Sequence, residues 1–422
     1  MKYNDLINEI NNNLDEKIIM CSSKAKLQQQ KTRYLRLLDK AYDKYGEQDF
    51  HIFSAPGRTE IGGNHTDHQL GCVLAASVNM DIIAIVIKDD NVVEFNSEGF
   101  NINSISVNDL DIKKEEYYKS ESIIRGTLSR FKQLGYNVGG FKCISDSEVL
   151  KGSGVSSSAA FEVLIGTILS HLYNDNKVSS IEIAKIGQYA ENVYFNKPCG
   201  LMDQMACSVG GFVSINFKDK ENPIVNKIDF DFESYNYDLV IVDTKGDHAH
   251  LSDEYGLMPN EMKEVAKELG CDYLSQTNVN ELLSNVSKVR NIKNDRALLR
   301  AFHYFNETKR AVLQANALSD DKFHTFKQLV KESGNSSFKY LQNVTSPSDY
   351  KTQNIALALA ISEEILHEDG VCRVHGGGLE GTIQALVSKD KTKEYTDVLS
   401  SVFGDDSCHI LKIRPVGGYK LI

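Results

Sequence analysis

Gly152-Ser-Gly-Val-Ser-Ser-Ser-Ala-Ala160 decides how this chain is read, because it opens directly into a stretch, Ala159 to Leu172, with apolar residues at helical spacing. Glycines let a backbone come close to a ligand and adopt positive φ. Serines add hydroxyl donors, and a helix start presents free N–H groups and a positive dipole end. Together these make a cradle for phosphate. The loop lacks the Gly-Lys-Ser/Thr ending of a P-loop. A Ser-rich turn that merely caps a helix has the same composition, and this segment alone does not separate the two.

Three other segments are equally dense in functional side chains. Arg58-Thr-Glu-Ile-Gly-Gly-Asn-His-Thr-Asp-His68 sits between apolar runs. Its short carboxylates, amide and imidazoles suit vicinal hydroxyls of a sugar, and Arg58 suits a phosphoryl group. A metal site on His65, Asp67 and His68 is disfavoured, because the spacing matches no helix-borne pair. Lys197-Pro-Cys-Gly-Leu-Met-Asp-Gln204 sets Asp203 among Leu201, Met202 and Met205. A carboxylate there is either poised to take a proton or is a helix N-cap. His375-Gly-Gly-Gly-Leu-Glu-Gly381 concentrates glycines that are costly to order, which fits a close approach to a ligand or a tight turn between strands.

Around these loops the pattern alternates. Two surface helices are expected between Leu6 and Tyr45, a strand over Phe50 to Pro56, a loop over Gly57 to Gly71, and strands over Cys72 to Ile87 and Val92 to Phe95. Helices are expected over Lys119 to Leu134 and Ile181 to Val193. Strands are expected at Phe141 to Ile144, Gly210 to Phe217 and Tyr237 to Asp243. Further on come helices over Asn260 to Leu269, Asp295 to Leu318, Asp320 to Ser333 and Ile355 to Glu368, and strands at Thr382 to Val387 and Cys408 to Pro415. The charged segment Lys218 to Asp229, with Pro223, marks the expected domain junction. This is a mixed α+β chain in two units, 1–220 and 221–422.

Composition narrows the function. The 422 residues are 41% hydrophobic and 25% charged, which permits more than one core. A net charge of −11 argues against nucleic acid or an anionic membrane as partner. The N-terminus lacks a secretory pattern, and no run approaches the roughly 20 apolar residues of a membrane span. The eight cysteines are scattered, with no Cys-x-x-Cys pair, so neither a disulfide framework nor a zinc knuckle is expected. A cytoplasmic setting is.

Three pieces carry a resemblance: Ala55-Pro-Gly-Arg58 with His65-Thr-Asp67, Gly154-Val-Ser-Ser-Ser-Ala-Ala160, and Cys199-Gly-Leu-Met-Asp-Gln204, with Gly376-Gly-Gly378 as a further motif. In this order they resemble the GHMP kinases, and among them the galactokinase branch, over nearly all of the chain after Phe50. The resemblance implies a ribosomal S5 domain 2-like N-terminal domain and a ferredoxin-like C-terminal domain, with ATP and a sugar meeting between them. It implies catalytic roles for Asp203 and Arg58, and sugar contacts at Asn64, His65, Asp67, Gly200 and Tyr255. ATP would bind Gly152, Ser153, Gly154, Val155, Ser156, Ser157, Ser158 and Ala159. Mg2+ would sit on Ser158 and Glu191. The expected reaction is galactose plus ATP to galactose 1-phosphate plus ADP, in a monomer.

The pattern departs from the branch in places. Galactokinases usually carry Glu where Asn64 stands, against the sugar's C6 end, and Asp-Tyr where Asp67-His68 stands. The Asp-His-Gln form resembles galacturonokinases, and a neutral amide would tolerate a C6 carboxylate, so a galacturonate or other modified-galactose 1-kinase is the alternative. Asp247 replaces a residue that is often basic, with Lys245 nearby, and Leu150 replaces the leading Pro of the phosphate loop. His248, His250 and Asp253, ahead of Tyr255, read as local loop contacts or as extra sugar contacts. A non-catalytic sugar and ATP sensor is disfavoured by the intact Ser156-Ser-Ser-Ala159, Asp203 and Arg58. A mevalonate- or homoserine-type kinase is disfavoured by His65-Thr-Asp67 and Met202-Asp-Gln204.

Overall fold

The structure is a computed structural model that describes residues 1–97, 102–149, 155–246, 252–346, 351–379 and 381–422, the side chains of 233, 252 and 253 excepted. The chain opens with three helices, α1 (Tyr3–Asn12), α2 (Asp15–Cys21) and α3 (Leu27–Tyr45). They are not a surface pair. Leu6, Ile10, Ile18, Tyr34, Leu37 and Leu38 are buried against Phe50, Ile52, Ile83, Ile85 and Ile87, which lie on β1 (Phe50–Gly62) and β2 (Cys72–Asp89). Each such side chain contributes about 1.5–3 kcal/mol when fully buried, so these helices are part of a core.

Strand side chains alternate between the two faces of a sheet. Phe53, Ala55, Ile82, Ala84 and Val86 therefore enter a second core on the opposite face. That face is completed by β3 (Val92–Ser97), β4 (Ile105–Ser106), α4 (Ser120–Gln133), β5 (Gly140–Ser147), α5 (Ser157–Tyr173), α6 (Ser180–Tyr189) and α7 (Met202–Val209). The strands β6 (Phe212–Asn216) and β7 (Ile224–Ile228) form a hairpin on β2.

The second sheet starts at β8 (Tyr237–Asp243). Five helices follow: α8 (Ser252–Glu268), α9 (Val279–Ile292), α10 (Asp295–Ser319), α11 (Phe323–Ser336) and α12 (Asn354–Leu366). Then come β9 (Val371–His375), β10 (Thr382–Ser388), α13 (Thr392–Phe403) and β11 (Cys408–Leu411). The order is β11-β8-β10-β9 and every pairing is antiparallel, which is the ferredoxin-like arrangement. The last strand, β12 (Tyr419–Lys420), returns to pair with β1. The fold is α+β. We propose the division 1–220 and 221–422 as two domains. The pairing of β7 and β12 puts 224–228 and 419–420 on the first sheet.

Two differences from the sequence reading matter for the site. First, β1 runs on to Gly62, where a loop from Gly57 is expected. Its register on β2 shifts between Pro56 and Arg58 and again between Glu60 and Gly62. Polar residues disguise this stretch as a loop, yet Arg58, Thr59 and Glu60 are all buried. Second, α9, β9 and α13 are absent from the sequence reading. Only Leu282 and Val289 of α9 are buried, and β9 carries Arg373 and His375 where an apolar strand would show Val or Ile. Among the described residues no helix is long and apolar enough to cross a membrane.

Candidate active site

A cleft of about 270 Å3 is lined by Arg58, Ser156, Ser157, Ser158, Lys197, Asp203, Tyr255, His375, Gly376, Gly377, Gly378, Gly381 and Thr382. All four segments singled out in the sequence meet here, brought together from β1, the start of α5, the turn before α7, and the β9–β10 connection. A larger cavity of about 380 Å3 lies elsewhere, between Lys227, Phe230, Phe232, Leu411 and Ile413. It holds none of these motifs.

Asp203 stands in the first turn of α7, whose N-cap is Leu201, so it is not a cap. Its carboxylate accepts two parallel bonds from Arg58, from Nε to Oδ1 at 2.7 Å and from Nη2 to Oδ2 at 2.8 Å. The Ser156 hydroxyl also donates to Oδ2. The Asp203 side chain is 32% exposed while that of Arg58 is only 8%, so the carboxylate faces the cleft and the guanidinium supports it from behind. Burial would raise the Asp203 pKa, but the charge and hydrogen bonds of Arg58 outweigh it and hold it below the usual carboxylate range.

The start of α5 fits an anion site in part. Val155 O accepts from Arg58 N at 3.0 Å, which fixes the loop against β1. Ser156 adopts a left-handed conformation, φ 56°, before the helix begins at Ser157. Ser157 and Ser158 line the cleft, and Ala159 is buried beneath them. Gly152, Ser153 and Gly154, with Leu150, lie outside the described residues, as do Asp247, His248 and His250 and the side chain of Asp253. Lys245, the expected compensating cation, pairs with Asp243 at 3.0 Å and Asp406 at 3.4 Å.

The sugar-loop residues divide. Asp67 lies against Gly200, where a Cβ would stand 1.8 Å from Asp67 Oδ2, so a larger residue there would displace the carboxylate. Burial, and then the charge of Asp203, push the Asp67 pKa up to about 6. His65, in a left-handed conformation with φ 57°, has its pKa lowered to about 4 by burial. It is therefore neutral near pH 7, and Nε2 faces Gly377 O at 3.2 Å. The Tyr255 hydroxyl donates to Gly378 O at 2.6 Å.

Asn64 is a correction. Its side chain is fully buried. Nδ2 donates to Glu60 Oε1 and Gly376 O, and Oδ1 accepts from Ser337 Oγ and Asn343 Nδ2. An amide has two hydrogens and two lone pairs, and all four are used inside the protein. In this structure Asn64 has no amide hydrogen or lone pair left for the C6 substituent of a sugar, which weakens the galacturonate alternative.

Behind the cleft, Glu191 is 2% exposed. It accepts from Lys197 Nζ at 3.1 Å and Gln204 Nε2 at 2.9 Å. Gln204 Nε2 also donates to Glu162 at 3.0 Å, and burial together with the Glu191 charge push the Glu162 pKa well above its ordinary value. Among the described residues no group of three or more His, Cys, Asp or Glu is arranged to hold a metal. Sequence reasoning does not pick out Lys197, Glu162 and Thr382. Lys197 opens a quoted motif, and its place there is the one available signal.

Comparisons with known proteins agree with this geometry. Residues 122–211 match the family model for the GHMP kinases N terminal domain, and residues 42–88 match the galactokinase galactose-binding signature. A galactokinase of Clostridium tetani is 29% identical over 360 residues, covering 82% of this chain and 86% of the relative. A galactokinase of Bacillus subtilis is 29% identical over 376 residues, covering 86% and 90%. The crystal structure of Lactococcus lactis galactokinase complexed with galactose shares the fold with a TM-score of 0.76 at 22% identity, covering 90% of this chain and 98% of that one. The chain thus carries a GHMP kinase N-terminal domain and a galactokinase galactose-binding signature, and it is similar to galactokinases over more than four fifths of its length.

Proposed function

We propose that this protein is a galactokinase, which moves the γ-phosphoryl group of ATP onto the anomeric hydroxyl of galactose and releases ADP. The observation that carries the reading is the bidentate Arg58–Asp203 pair, exposed on the Asp203 side to the same cleft as Ser157 and Ser158. The galactose-binding signature over residues 42–88 supports the choice of sugar.

In this reading Asp203 accepts the hydrogen of the anomeric hydroxyl and orients its oxygen. The carboxylate already accepts three bonds from Arg58 and Ser156, which leaves one acceptor site for the sugar, and its pKa is lowered, so it is a weak base. Orientation is then its larger contribution, with proton uptake following as the bond to phosphorus forms. Arg58 offsets charge on the moving phosphoryl group. Asp67 and neutral His65 pair with sugar hydroxyls, Tyr255 borders them, and Gly200 keeps Asp67 in place.

ATP lies along residues 152–159. A divalent ion accompanying it fits the donor types present, one hydroxyl on Ser158 and one carboxylate on Glu191. Mg2+ takes few protein ligands when phosphate oxygens complete its set. When bound it neutralises charge on the phosphates. Lys197, which already meets Glu191, is a second cation lining the same cleft as Ser157 and Ser158. The net charge of −11 supports a protein that binds neither nucleic acid nor an anionic membrane; we read it as a cytoplasmic monomer.

Asp203→Asn and Arg58→Ala test the assignment in an ADP-release assay with ATP and galactose. Each is expected to lower turnover by about 10²–10⁴-fold, while ATP binding, followed by calorimetry, persists. Near-normal turnover in either variant would overturn the roles of both residues.

A further inference from the structure

Each carbonyl of the glycine loop is held by a side chain from outside it. Gly376 O accepts from Asn64 Nδ2 at 2.7 Å. Gly377 O accepts from Asn343 Nδ2 at 3.2 Å and faces His65 Nε2 at the same distance. Gly378 O accepts from the Tyr255 hydroxyl. Asn343 holds the loop a second time through its backbone, its carbonyl accepting from Leu379 N at 2.7 Å. Asn343 Nδ2 also donates to Asn64 Oδ1 at 2.9 Å, so the two amides interlock.

Around this pair the packing is tight. Asn64, Asn343 and Ser337 are each fully buried, and Glu60 nearly so. A Cβ on Gly378 would fall 2.1 Å from Asn343 O, and one on Gly377 would fall 2.6 Å from the Tyr255 ring. Arg373 Nη2 donates to Glu60 Oε1 at 2.7 Å, and His303 Nε2 meets Asn64 O at 2.8 Å. Asn64 is therefore tied to β1, the β9–β10 connection, α10 and the segment after α11.

We propose that Asn64 and Asn343 are positioning residues: an amide clasp that sets the Gly376–Gly378 loop against the sugar loop and so fixes His65 and Tyr255 for the acceptor sugar. The proposal rests on the galactokinase reading for the sugar, but not for the clasp. Loss of either amide frees a buried carbonyl, lets the loop shift, and spoils the His65 and Tyr255 placements together. The energetic scale is that of one or two buried hydrogen bonds, about tenfold or more in an equilibrium.

Asn64→Leu, Asn343→Ala and the double variant test it through kcat and KM for galactose and the inhibition constant of 6-deoxygalactose, which lacks the C6 hydroxyl. The expected result is a KM for galactose raised about tenfold or more, with kcat within about threefold. Binding of 6-deoxygalactose should weaken by the same factor, and the double variant should be no worse than the poorer single one. A merely destabilised enzyme would lose active fraction and hence kcat, with KM unchanged, and that pattern would overturn the proposal. Selective loss of galactose relative to 6-deoxygalactose would also overturn it, by putting Asn64 on the C6 hydroxyl.

Amide hydrogen exchange of the wild-type and variant proteins gives a readout independent of substrate. Uptake over residues 376–379 should accelerate about tenfold while that over 50–58 stays unchanged. If the wild type phosphorylates no sugar, the galactokinase reading fails and exchange alone judges the clasp. Unchanged uptake over 376–379 in the variants overturns it. Should Asn64→Leu fail to fold, Asn343→Ala, which removes two contacts and no backbone bond, decides the matter by the same measurements.

Discussion

Asp67 shows how a site can hold a group at the expense of stability. It lies close to Asp203, and burial and that neighbouring charge raise its pKa from 3.8 to about 6. In the folded protein Asp67 thus binds its proton more tightly than in the unfolded chain. Its ionisation costs stability as pH rises through the window from about 4 to about 6, and the full cost is present at pH 7. Asp67→Asn removes that charge. The variant is expected to melt higher than the wild type at pH 7.5, with the gain vanishing as pH falls toward 4. Its kcat/KM for galactose should drop about 10- to 100-fold, since a charged acceptor is lost. Thermal unfolding at several pH values checks the first point, and a lower melting midpoint at pH 7.5 would contradict it.

At the scale of elements, the N-terminal helices carry more than their composition suggests. Arg33 of α3 is 6% exposed and pairs with Asp81 at 2.6 Å and Asp146 at 2.8 Å. Gln30, a turn earlier, donates to Glu148 at 3.0 Å. Asp146 and Glu148 stand at the end of β5, shortly before the serine loop, so α3 anchors the strand that delivers it. Removing one partner of a buried ion pair costs about 3–5 kcal/mol, and Arg414, which pairs with Asp81 at 3.2 Å, offsets part of that. Arg33→Met is expected to lose about 3 kcal/mol in urea unfolding. A loss below about 1 kcal/mol would show that Arg414 replaces it.

What the sequence makes legible follows from where its signals are local. The helix after Ala159, the long apolar β2 and the candidate proton acceptor Asp203 announce themselves through spacing or a compact motif. The extension of β1 through Arg58 and Glu60 does not, because those polar side chains are buried only through partners such as Asp203 and Arg373, 145 and 313 residues away along the chain. Asn64 misleads for the same reason. From the sequence it is one polar residue in a polar loop, and of its four side-chain partners Glu60 is local while Ser337, Asn343 and Gly376 lie 273, 279 and 312 residues away along the chain. Strand β9 is hidden likewise, since Arg373 and His375 face β1 rather than an apolar core.

At the scale of the whole molecule, two sheets face one cleft, and the chain crosses between them more than once. α10 follows β8 in sequence, yet its Glu307 accepts from Gly63 N at 3.1 Å and its His303 meets Asn64 O; β12 closes back onto β1. Sugar loop, serine loop and glycine loop are thereby held as one assembly, which is what transfer between two bound substrates requires. The central claim is that galactose is the acceptor. It is tested most directly by ADP release with Mg2+-ATP across galactose, galacturonate, glucuronate, N-acetylgalactosamine, glucose and arabinose. The account predicts strong turnover on galactose and little on galacturonate, because the signature over residues 42–88 is a galactose-binding one. Preference for galacturonate would contradict the choice of sugar, and silence across the panel would contradict the assignment as a sugar kinase.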